Sequence, residues 1–573
     1  MHLPNRLLSL SALLAAGTLA AQNPMLMPES VDAGNPVTLN LAPGTHNFGS
    51  GIEAASLGAN GAILGPTLIV HQGETADWSV ANGLMESTTM HWHGMHVSPA
   101  NDGGPHSIIA PGETWNPTFE VLDEAGTYWY HPHLHMMTDM HVSKGIAGQI
   151  WVRDPQEQAL ALPRTYGEDE FPIVLQTKAF DAAGNIIAHA NNDTMLCVNA
   201  TVDAQLEVPA SVVRFHLLNG SSQRVFNFGL SDNSSFHLMA TDGGLLGAPV
   251  AMNRLRLAPG ERAEVLVDFA SYAGETVEFM SYASEFSNGI YGATYPGMGT
   301  GQVLNGYNPN PLNGSDFTLF TASVTAPLPA NAVFEIPSEL DPTNANPFDA
   351  AEADITRILN MQPQSMGMNA LNGNFVFNGA SFNMDVINYT VPLNNTEIWH
   401  ISNNSPIGHP FHIHDVQFYI IERNGSAPSV DEMGRKDVVF VPAMQSAKFI
   451  CKFEDFADPE IPYMYHCHML VHEDGGMMGQ FLVTDPNASL AELAPEELSV
   501  FPNPASDQIQ LDLPPATASI TIRDLLGRTV MDLPTAANTQ TLDVSALISG
   551  TYFGLARNNG GEVIGTFQVQ VAH

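Results

Sequence analysis

The chain has 573 residues, of which only 14% are charged, and 59 Asp and Glu against 19 Lys and Arg give a formal net charge of −40 at pH 7. This charge excludes a nucleic-acid binder that works through a basic surface, and it disfavours docking onto anionic lipid. The 48 Gly and 40 Pro, many of them in turn-like contexts, favour a β-rich protein with many loops over one built from long helices.

The first 21 residues have the pattern of a secretory signal peptide. Arg6 supplies a positive charge, an apolar stretch runs from Leu7 to Ala21, and small residues precede Gln22, where cleavage is expected. A membrane anchor is the alternative, but the stretch is short for a spanning helix of about 20 residues. The sequence therefore predicts an exported protein without a membrane span.

Short apolar runs broken by Gly, Pro and Asn continue from there to about residue 487. Runs such as 67–70 and 148–152 are rich in β-branched and aromatic residues, which is typical of sandwich strands. They predict three β-domains, at residues 22–160, 161–330 and 331–487. An Ala/Glu/Leu-rich linker at 488–499 leads to a small separate β-domain at 500–573.

Four His-x-His pairs occupy matched places in the first and third domains, and the middle domain has none. They are His91 and His93, His131 and His133, His412 and His414, and His466 and His468. Because alternate residues of a strand project to the same face, each pair aims two imidazoles at one point. Eight imidazoles are too many for one metal ion and predict a metal cluster. Imidazole alone fits copper, zinc, iron and nickel equally.

Cys467 identifies the metal, because it lies between two cluster histidines and, on a strand, faces away from them. Its side chain therefore belongs to a second site. The residues that could complete this site are His409, His472 and Met477. Two His, one Cys thiolate and a weak axial Met form the blue-copper set, whereas a buried structural thiol would need no such partners. The peptide bonds on either side of Cys467 would then connect this centre covalently to the cluster.

The other two cysteines, Cys197 and Cys451, could form one disulfide at most. Three cysteines cannot build a disulfide framework, and two buried, unreactive thiols are favoured.

These motifs resemble the copper motifs of the multicopper oxidases over about residues 40–487. The layout, with metal motifs in the first and third of three domains, is similar to that of bacterial laccases, cuprous oxidases and bilirubin oxidases. The resemblance implies an all-β protein of three cupredoxin-like Greek-key β-sandwich domains that binds four copper ions. It implies a type 1 copper held by His409, Cys467, His472 and Met477, a type 2 copper held by His91 and His412, and a type 3 pair held by His93, His131, His133, His414, His466 and His468.

The resemblance also implies an enzyme. A reducing substrate would give one electron at a time to the type 1 copper, and four such electrons would reduce O2 to water at the trinuclear cluster. Because that reduction consumes protons, carboxylates are expected beside the cluster. Asp102, in a Asp-Gly-Gly-Pro segment, and Glu473, next to His472, match the family positions and are the predicted catalytic residues; otherwise they are ordinary turn and surface carboxylates.

The reducing substrate is open between two classes. Met361, Met366 and Met368, and the His- and Met-rich segment 135–141, could bind Cu(I), although Met also fills cores and loops. Copper-exporting members of the family carry a long Met-rich insert, which this chain lacks, and an Asp and a Met where Ser405 and Ile407 stand here. The sequence therefore favours a laccase-like oxidase of phenols, aromatic amines or related donors, with Cu(I) oxidation as the alternative.

Two functions from other classes are disfavoured. The type 1 Cys of a copper nitrite reductase is not flanked by two cluster histidines. A non-catalytic copper-binding or electron-transfer protein would not need eight cluster histidines.

The last 75 or so residues resemble the type A sorting domain of the bacterial type IX secretion system. The resemblance rests on FPNP at 501–504, DLLGR at 524–528 and GTY at 550–552. It implies that the type IX machinery is a partner and that the protein is secreted or held at the cell surface after export through the periplasm. A generic β-domain that binds carbohydrate or another partner is the alternative.

Overall fold

The computed structural model describes residues 22–486, 496–535, 539–558, 561 and 563–573. The predicted signal peptide and most of the predicted linker lie outside these residues. The chain divides into two compact units, one that ends at Thr484 and one that begins at Asp485. Among the described helices, none has the length and apolar character needed to cross a membrane.

Two sheets pack together at the start of the first unit. One contains, in spatial order, Ser30–Asp32, Thr67–His71, Gly148–Arg153, Gly126–His131 and His91–His93; the other contains Ile52–Ala59, Val37–Gly49, Thr75–Asn82 and Thr114–Trp115, with Thr118–Glu120 also paired to Thr75–Asn82. Alternate side chains of Thr75–Asn82 are buried, because successive residues of a strand face opposite sides. Trp78 and Trp92, one from each sheet, meet edge to face in the shared core.

A second pair of sheets follows in the chain. One contains Asn23–Pro24, Ala204–Pro209, Asp316–Ala326, Thr276–Tyr282, Phe226–Leu230 and Leu255–Leu257; the other contains Ile186–Ile187, Glu170–Phe180, Val212–Asn219, Arg262–Asp268, Phe236–Thr241 and Gly244–Met252, with Met195–Val198 paired to Glu170–Phe180. Their core is rich in phenylalanine, and Phe279 stacks on Phe320 at 4.3 Å between ring centroids.

The third pair of sheets completes the first unit. One contains Phe375–Phe377, Ile355–Pro363, Thr396–Asn403, Ser446–Lys452 and Tyr419–Arg423; the other contains Tyr389–Pro392, Met478–Thr484, Tyr463–Cys467, His409–Ile413 and Val438–Val441. Trp399, Phe411 and Phe449 lie in the core between them, and Cys467 and Met477 belong to the same buried cluster.

Helices are short and few in the described part of the chain. The α-helices are Pro99–Asp102, Thr138–Lys144, Pro155–Ala159 and Leu470–Asp474; the 3-10 helices are Ala270–Tyr272, Ala283–Glu285, Ala350–Glu352, Ala370–Asn372 and Val430–Glu432. The first α-helix ends at Asp102, and the last one carries His472 and Glu473. Connections between strands thus carry several of the predicted site residues.

The second unit is a small β-domain. One sheet contains Glu496–Glu497, Val563–Val571, Gly550–Arg557, Ser519–Arg523 and Thr529–Pro534; the other contains Val500–Phe501, Gln508–Asp512 and Thr539–Asp543. Ile509 and Leu511 of the second sheet share a core with Ile520 and Val569 of the first. The predicted all-β fold, with β-sandwich domains and a small C-terminal sandwich, is confirmed. The exact boundaries at residues 160, 330 and 487 remain a prediction.

Candidate metal centre

The register of the strands brings the histidine pairs together within each sheet. His91–His93 runs antiparallel to Gly126–His131, so that His91 lies opposite His131. His409–Ile413 runs antiparallel to Tyr463–Cys467, so that His412 lies opposite His466. The internal repeat seen in the sequence therefore produces the same local arrangement twice.

The eight histidines of the four pairs converge on one buried centre. His91 stacks on His414 with ring centroids 3.9 Å apart, and His93 stacks on His412 at 3.7 Å. These two stacks join the first pair of sheets to the third. The ring nitrogens form three groups in which all ligand atoms lie within 4.8 Å of one another: His91, His412 and His414; His93, His131 and His468; and His133, His414 and His466.

The outer ring nitrogens of His91 and His412 are hydrogen-bonded, and this sets which nitrogen of each of these two rings faces inward. Nδ1 of His91 lies 2.8 Å from the Asp102 carbonyl, and Nδ1 of His412 lies 2.9 Å from the Asp437 carbonyl. Their Nε2 atoms are buried and have no hydrogen-bond partner. Because buried polar atoms are almost always paired, two such orphaned imidazole nitrogens fit a metal ion as the missing partner.

Burial lowers the pKa of several cluster histidines and so favours their neutral form, which binds metals. Burial lowers the pKa of His133 and of His466 to about 3. Burial, followed by the neighbouring histidines, also lowers the pKa of His412 and His414 well below the usual value. A neutral imidazole carries a proton on one nitrogen only, so its other nitrogen is free to bind a metal ion, as a metal ligand requires.

A second group of ligands lies beside the cluster. The Cys467 Sγ is 3.5 Å from His409 Nδ1 and 3.7 Å from His472 Nδ1, and the two Nδ1 atoms are 3.1 Å apart. His466 takes part in the cluster while Cys467 takes part in this second group, so the prediction that the thiol faces the other way is confirmed. Phe375 contacts both histidine rings.

Burial raises the pKa of the Cys467 thiol, so a bound metal ion is needed to hold it as a thiolate. Met477 is fully buried in the same core, and its carbonyl accepts a hydrogen bond from the Cys467 N–H at 3.0 Å. Among these ligands His472 is the most exposed, at 8%, and the other three are fully buried. Cys197 and Cys451 are both buried and free, as the sequence favours.

The sequence of this chain is similar to those of known proteins. Residues 40–157 and 348–487 match two family profiles described as multicopper oxidase. The chain is 31% identical over 458 residues to the multicopper oxidase mco of Staphylococcus haemolyticus. The aligned region covers 78% of this chain and 88% of that relative. This chain belongs to the multicopper oxidase family. It is an O2-using oxidoreductase, and its His and Cys groups are consistent with the type 1 and trinuclear copper sites of that family.

Two further similar proteins are described by different functions. The multicopper oxidase is 31% identical over 456 residues to the cell division protein FtsP of Xenorhabdus nematophila, over 78% of this chain and 89% of that one. Among solved structures it resembles the laccase-like multicopper oxidase CueO of the lignin-degrading Ochrobactrum sp., at 34% identity and a TM-score of 0.69 over 80% of this chain and 100% of that one. That protein is described as having oxidase activity towards lignin model compounds and lignosulfonate.

Residues 499–570 of this multicopper oxidase match a family described as secretion system C-terminal sorting domain. This match agrees with the resemblance found in the FPNP, DLLGR and GTY motifs. It implies that the protein is secreted or held at the cell surface.

Both predicted carboxylates are buried against the outer nitrogens of cluster histidines. The Asp102 Oδ2 lies 2.8 Å from His414 Nδ1. Glu473 places its two oxygens 3.4 Å from His133 Nδ1 and 3.1 Å from His466 Nδ1. Burial raises the pKa of the Glu473 carboxyl. The two carboxylates therefore contact different sides of the multicopper oxidase cluster.

Two further residues contact predicted copper ligands and are not themselves predicted by the sequence motifs. The Asp437 Oδ1 lies 3.0 Å from His93 Nε2, and the Ser405 Oγ lies 2.8 Å from His409 Nε2. Ser405 precedes His409 by four residues, so proximity in the sequence was a usable signal. Asp437 is 344 residues from His93, and no local pattern relates them.

The methionines singled out in the sequence are not equivalent. Met361 is fully buried in the core of the third pair of sheets, whereas Met366 and Met368 are exposed. In segment 135–141, Met136 is exposed and His141 is buried, with its Nδ1 3.3 Å from the Thr88 hydroxyl. Met361 is therefore a core residue and not part of a surface thioether group.

Proposed function

We propose that this multicopper oxidase takes single electrons from a small phenolic or related aromatic donor that approaches His472 and uses them to reduce O2 to water. The observation that carries this proposal is the position of Cys467. Its thiol lies with His409 and His472, while the adjacent residues His466 and His468 lie in the cluster. Three consecutive residues thus connect the two sites covalently.

In this proposal each ligand has the role implied by the family motifs. His409, Cys467 and His472 hold the type 1 copper with Met477 as the axial ligand. His91 and His412 hold the type 2 copper, and the other cluster histidines, His93, His131, His133, His414, His466 and His468, hold the type 3 pair. When bound, copper supplies one-electron transfer at the first site and four-electron reduction of O2 at the second. A relative of equal identity is a cell division protein, so it is this complete ligand set that supports an oxidase.

Asp102 and Glu473 are the proposed sources of the protons that O2 reduction consumes. Each carboxylate lies against the outer side of the cluster and is shielded from bulk water. Asp102 holds a hydrogen bond with His414 Nδ1, and Glu473 lies between His133 and His466. Proton transfer needs a group that reaches the reacting atoms directly or through one water, and both carboxylates lie beside the cluster where O2 would be reduced.

Two segments near His472 favour a neutral donor. Segments 286–315 and 358–384 carry no charged residue, in a chain with a net charge of −40. They lie against each other, because Asn372 hydrogen-bonds to the backbone of Val303 and Asn305. Phe375, in the second segment, packs on His472 at 4.5 Å between ring centroids. Phe375 is itself buried, so it supports the His472 ring from the core, and it is the uncharged surface of the two segments that favours a neutral donor over a hydrated cation.

Cu(I) oxidation is the second candidate function. Met366 and Met368 are exposed on the same uncharged segment as Phe375, and thioethers are soft ligands that select Cu(I). No carboxylate accompanies them within residues 358–384.

Oxygen uptake by the copper-loaded mature protein tests the proposal, with a phenol and Cu(I) offered separately. Turnover of the phenol without added copper supports the laccase-like function. Turnover only with Cu(I), or phenol oxidation that needs excess copper, supports the second candidate. No uptake with either donor contradicts both.

Cys467→Ser tests the electron path. We expect it to abolish the blue colour and the oxidase activity and to leave a folded protein, because a serine hydroxyl is not a thiolate. Cys451→Ser is the matched control, since Cys451 is a free, buried thiol of the same core. Activity that survives Cys467→Ser, or an equal loss in Cys451→Ser, would overturn the assignment.

The C-terminal unit also supports a proposal about the route by which the protein leaves the cell. We infer export through the periplasm followed by passage through the outer membrane by type IX machinery that recognises this unit. Oxidase activity should then reach the medium or the cell surface in cells that carry the machinery. Truncation after Thr484 should retain the enzyme in the periplasm, and unchanged secretion would contradict the inference.

A further inference from the structure

Asp437 contacts two histidines of the cluster at once. Its carboxylate Oδ1 lies 3.0 Å from Nε2 of His93, and its carbonyl oxygen lies 2.9 Å from Nδ1 of His412. The two rings are stacked, 3.7 Å apart and inclined by only 11°. One residue therefore contacts Nε2 of one ring and Nδ1 of the ring stacked on it.

This contact makes His93 different from the other cluster histidines. With Nε2 turned outward to Asp437, His93 presents Nδ1 to the cluster, 3.2 Å from His468 Nε2 and 3.5 Å from His131 Nε2. His412 instead presents Nε2, which has no hydrogen-bond partner. The choice of nitrogen in both rings thus depends on where Asp437 sits.

Arg262 holds Asp437 in place. Its Nη1 and Nη2 donate to Oδ1 and Oδ2 of Asp437 at 2.6 and 2.5 Å, a two-pronged ion pair. The remaining N–H groups donate to the backbone carbonyls of Thr127, Gly260 and Asp242. All five donors of this fully buried guanidinium are therefore used, and its orientation is determined. Arg262 comes from the middle pair of sheets, which has no copper motif.

The residue after His93 is a glycine, and the absence of a side chain there leaves room for Asp437 and Arg262. Gly94 has φ +87°, and a Cβ built there would lie 2.4 Å from Asp437 Oδ2 and 2.6 Å from Arg262 Nη2. Any side chain at position 94 would displace the carboxylate or the guanidinium.

We propose that Asp437 and Arg262 are a positioning pair that fixes which ring nitrogen His93 and His412 present to the copper cluster. The inference rests on the copper chemistry proposed above. A carboxylate on the outer N–H of a ligand histidine fixes its tautomer and ring orientation, and loss of such a partner lowers metal affinity or activity by about 10–100-fold. The middle domain then takes part in the metal centre without supplying a ligand.

Asp437→Asn and Arg262→Lys test the proposal in the copper-loaded full chain. We expect both to keep the blue absorption of the type 1 site. The EPR spectrum of the type 2 copper should change, or fewer copper ions should bind. Oxygen uptake at saturating donor should fall about 10–100-fold with an unchanged KM for the donor, because the donor site at His472 is not touched. Asp437→Glu, which keeps the carboxylate, should recover part of the activity.

Arg214→Lys is the matched control. Arg214 is equally buried in the same middle pair of sheets, but its ion-pair partners are Glu157, Glu170 and Glu264. This variant should lower thermal stability and leave copper content and the EPR spectrum unchanged.

Two results would overturn the positioning role. The first is an unchanged copper content, EPR spectrum and turnover in Asp437→Asn or in Arg262→Lys. The second is the same spectral change in Arg214→Lys, which would show that any lost buried ion pair disturbs the cluster. Wild-type protein that binds copper without consuming O2 would instead refute the proposed function, and the copper content and EPR comparison would still decide the role of the pair.

Discussion

Gly94→Ala, compared with Gly73→Ala, isolates the contribution of the pair Asp437–Arg262 to the protein. Both glycines have left-handed backbone angles, with φ +87° at Gly94 and φ +83° at Gly73. They differ in what the new methyl group meets. A Cβ at position 73 has no heavy atom within 4 Å, whereas a Cβ at position 94 overlaps Asp437 and Arg262.

The expected magnitudes follow from that difference. A non-glycine residue in the left-handed region costs about 1–2 kcal/mol, and this is the whole penalty for Gly73→Ala. Gly94→Ala has the same backbone penalty and also breaks a buried ion pair, which costs about 3–5 kcal/mol. We therefore expect Gly94→Ala to lower the free energy of unfolding by roughly 3–5 kcal/mol more than Gly73→Ala.

Urea unfolding of the two variants in the copper-free state measures the difference, and copper content with the type 2 EPR spectrum measures its effect on the cluster. Gly73→Ala should keep a normal copper complement and spectrum, and Gly94→Ala should not. Equal unfolding free energies for the two variants would refute the reasoning, because they would show that the pair adapts to the methyl group at no cost.

Three further outcomes are expected. Ser405→Ala should raise the reduction potential of the type 1 copper in a redox titration. The Ser405 hydroxyl donates to a backbone carbonyl and accepts from His409 Nε2–H, and it thereby strengthens that imidazole as a ligand. An unchanged reduction potential would contradict this reasoning. Burial opposes a proton on His96, but Asp415, Asp123 and Asp455 outweigh it and raise the pKa to about 10 from 6.5. Because the folded state favours the protonated ring, this stabilisation is complete below pH 6.5 and is lost as the pH rises to about 10. His96→Gln should therefore lower the free energy of unfolding more at pH about 6 than at pH about 10. If denaturant titrations give the same difference between wild type and variant at both pH values, this explanation is wrong. Removal of copper by a chelator should lower the melting temperature in calorimetry, since ions that bind only the folded chain stabilise it by mass action; identical melting with and without copper would show that the ligand groups do not bind it in the folded state.

Local geometry explains what the sequence by itself determined. The period of two along a strand predicts that both histidines of each His-x-His pair share one face and that Cys467 takes the other. Only His91 and His93 lie wholly in a strand, since His133, His414 and His468 lie just past the ends of theirs. The ligand types and the covalent connection through Cys467 could therefore be predicted from residues that lie within a few positions of one another. The all-β fold followed from short apolar runs and frequent turns for the same reason.

The tertiary structure alone decided which distant residues meet. His91 stacks on His414 and His93 on His412 across more than 300 residues of chain, and no local pattern encodes these contacts. Likewise, the neighbouring residues of Asp437 and Arg262 give no sign that the two side chains meet beside His93. The methionines make the same point, since residue type could not separate buried Met361 from exposed Met366 and Met368. Strand periodicity sets the direction of a side chain, whereas its partner depends on long-range register and on the packing of one sheet pair against another.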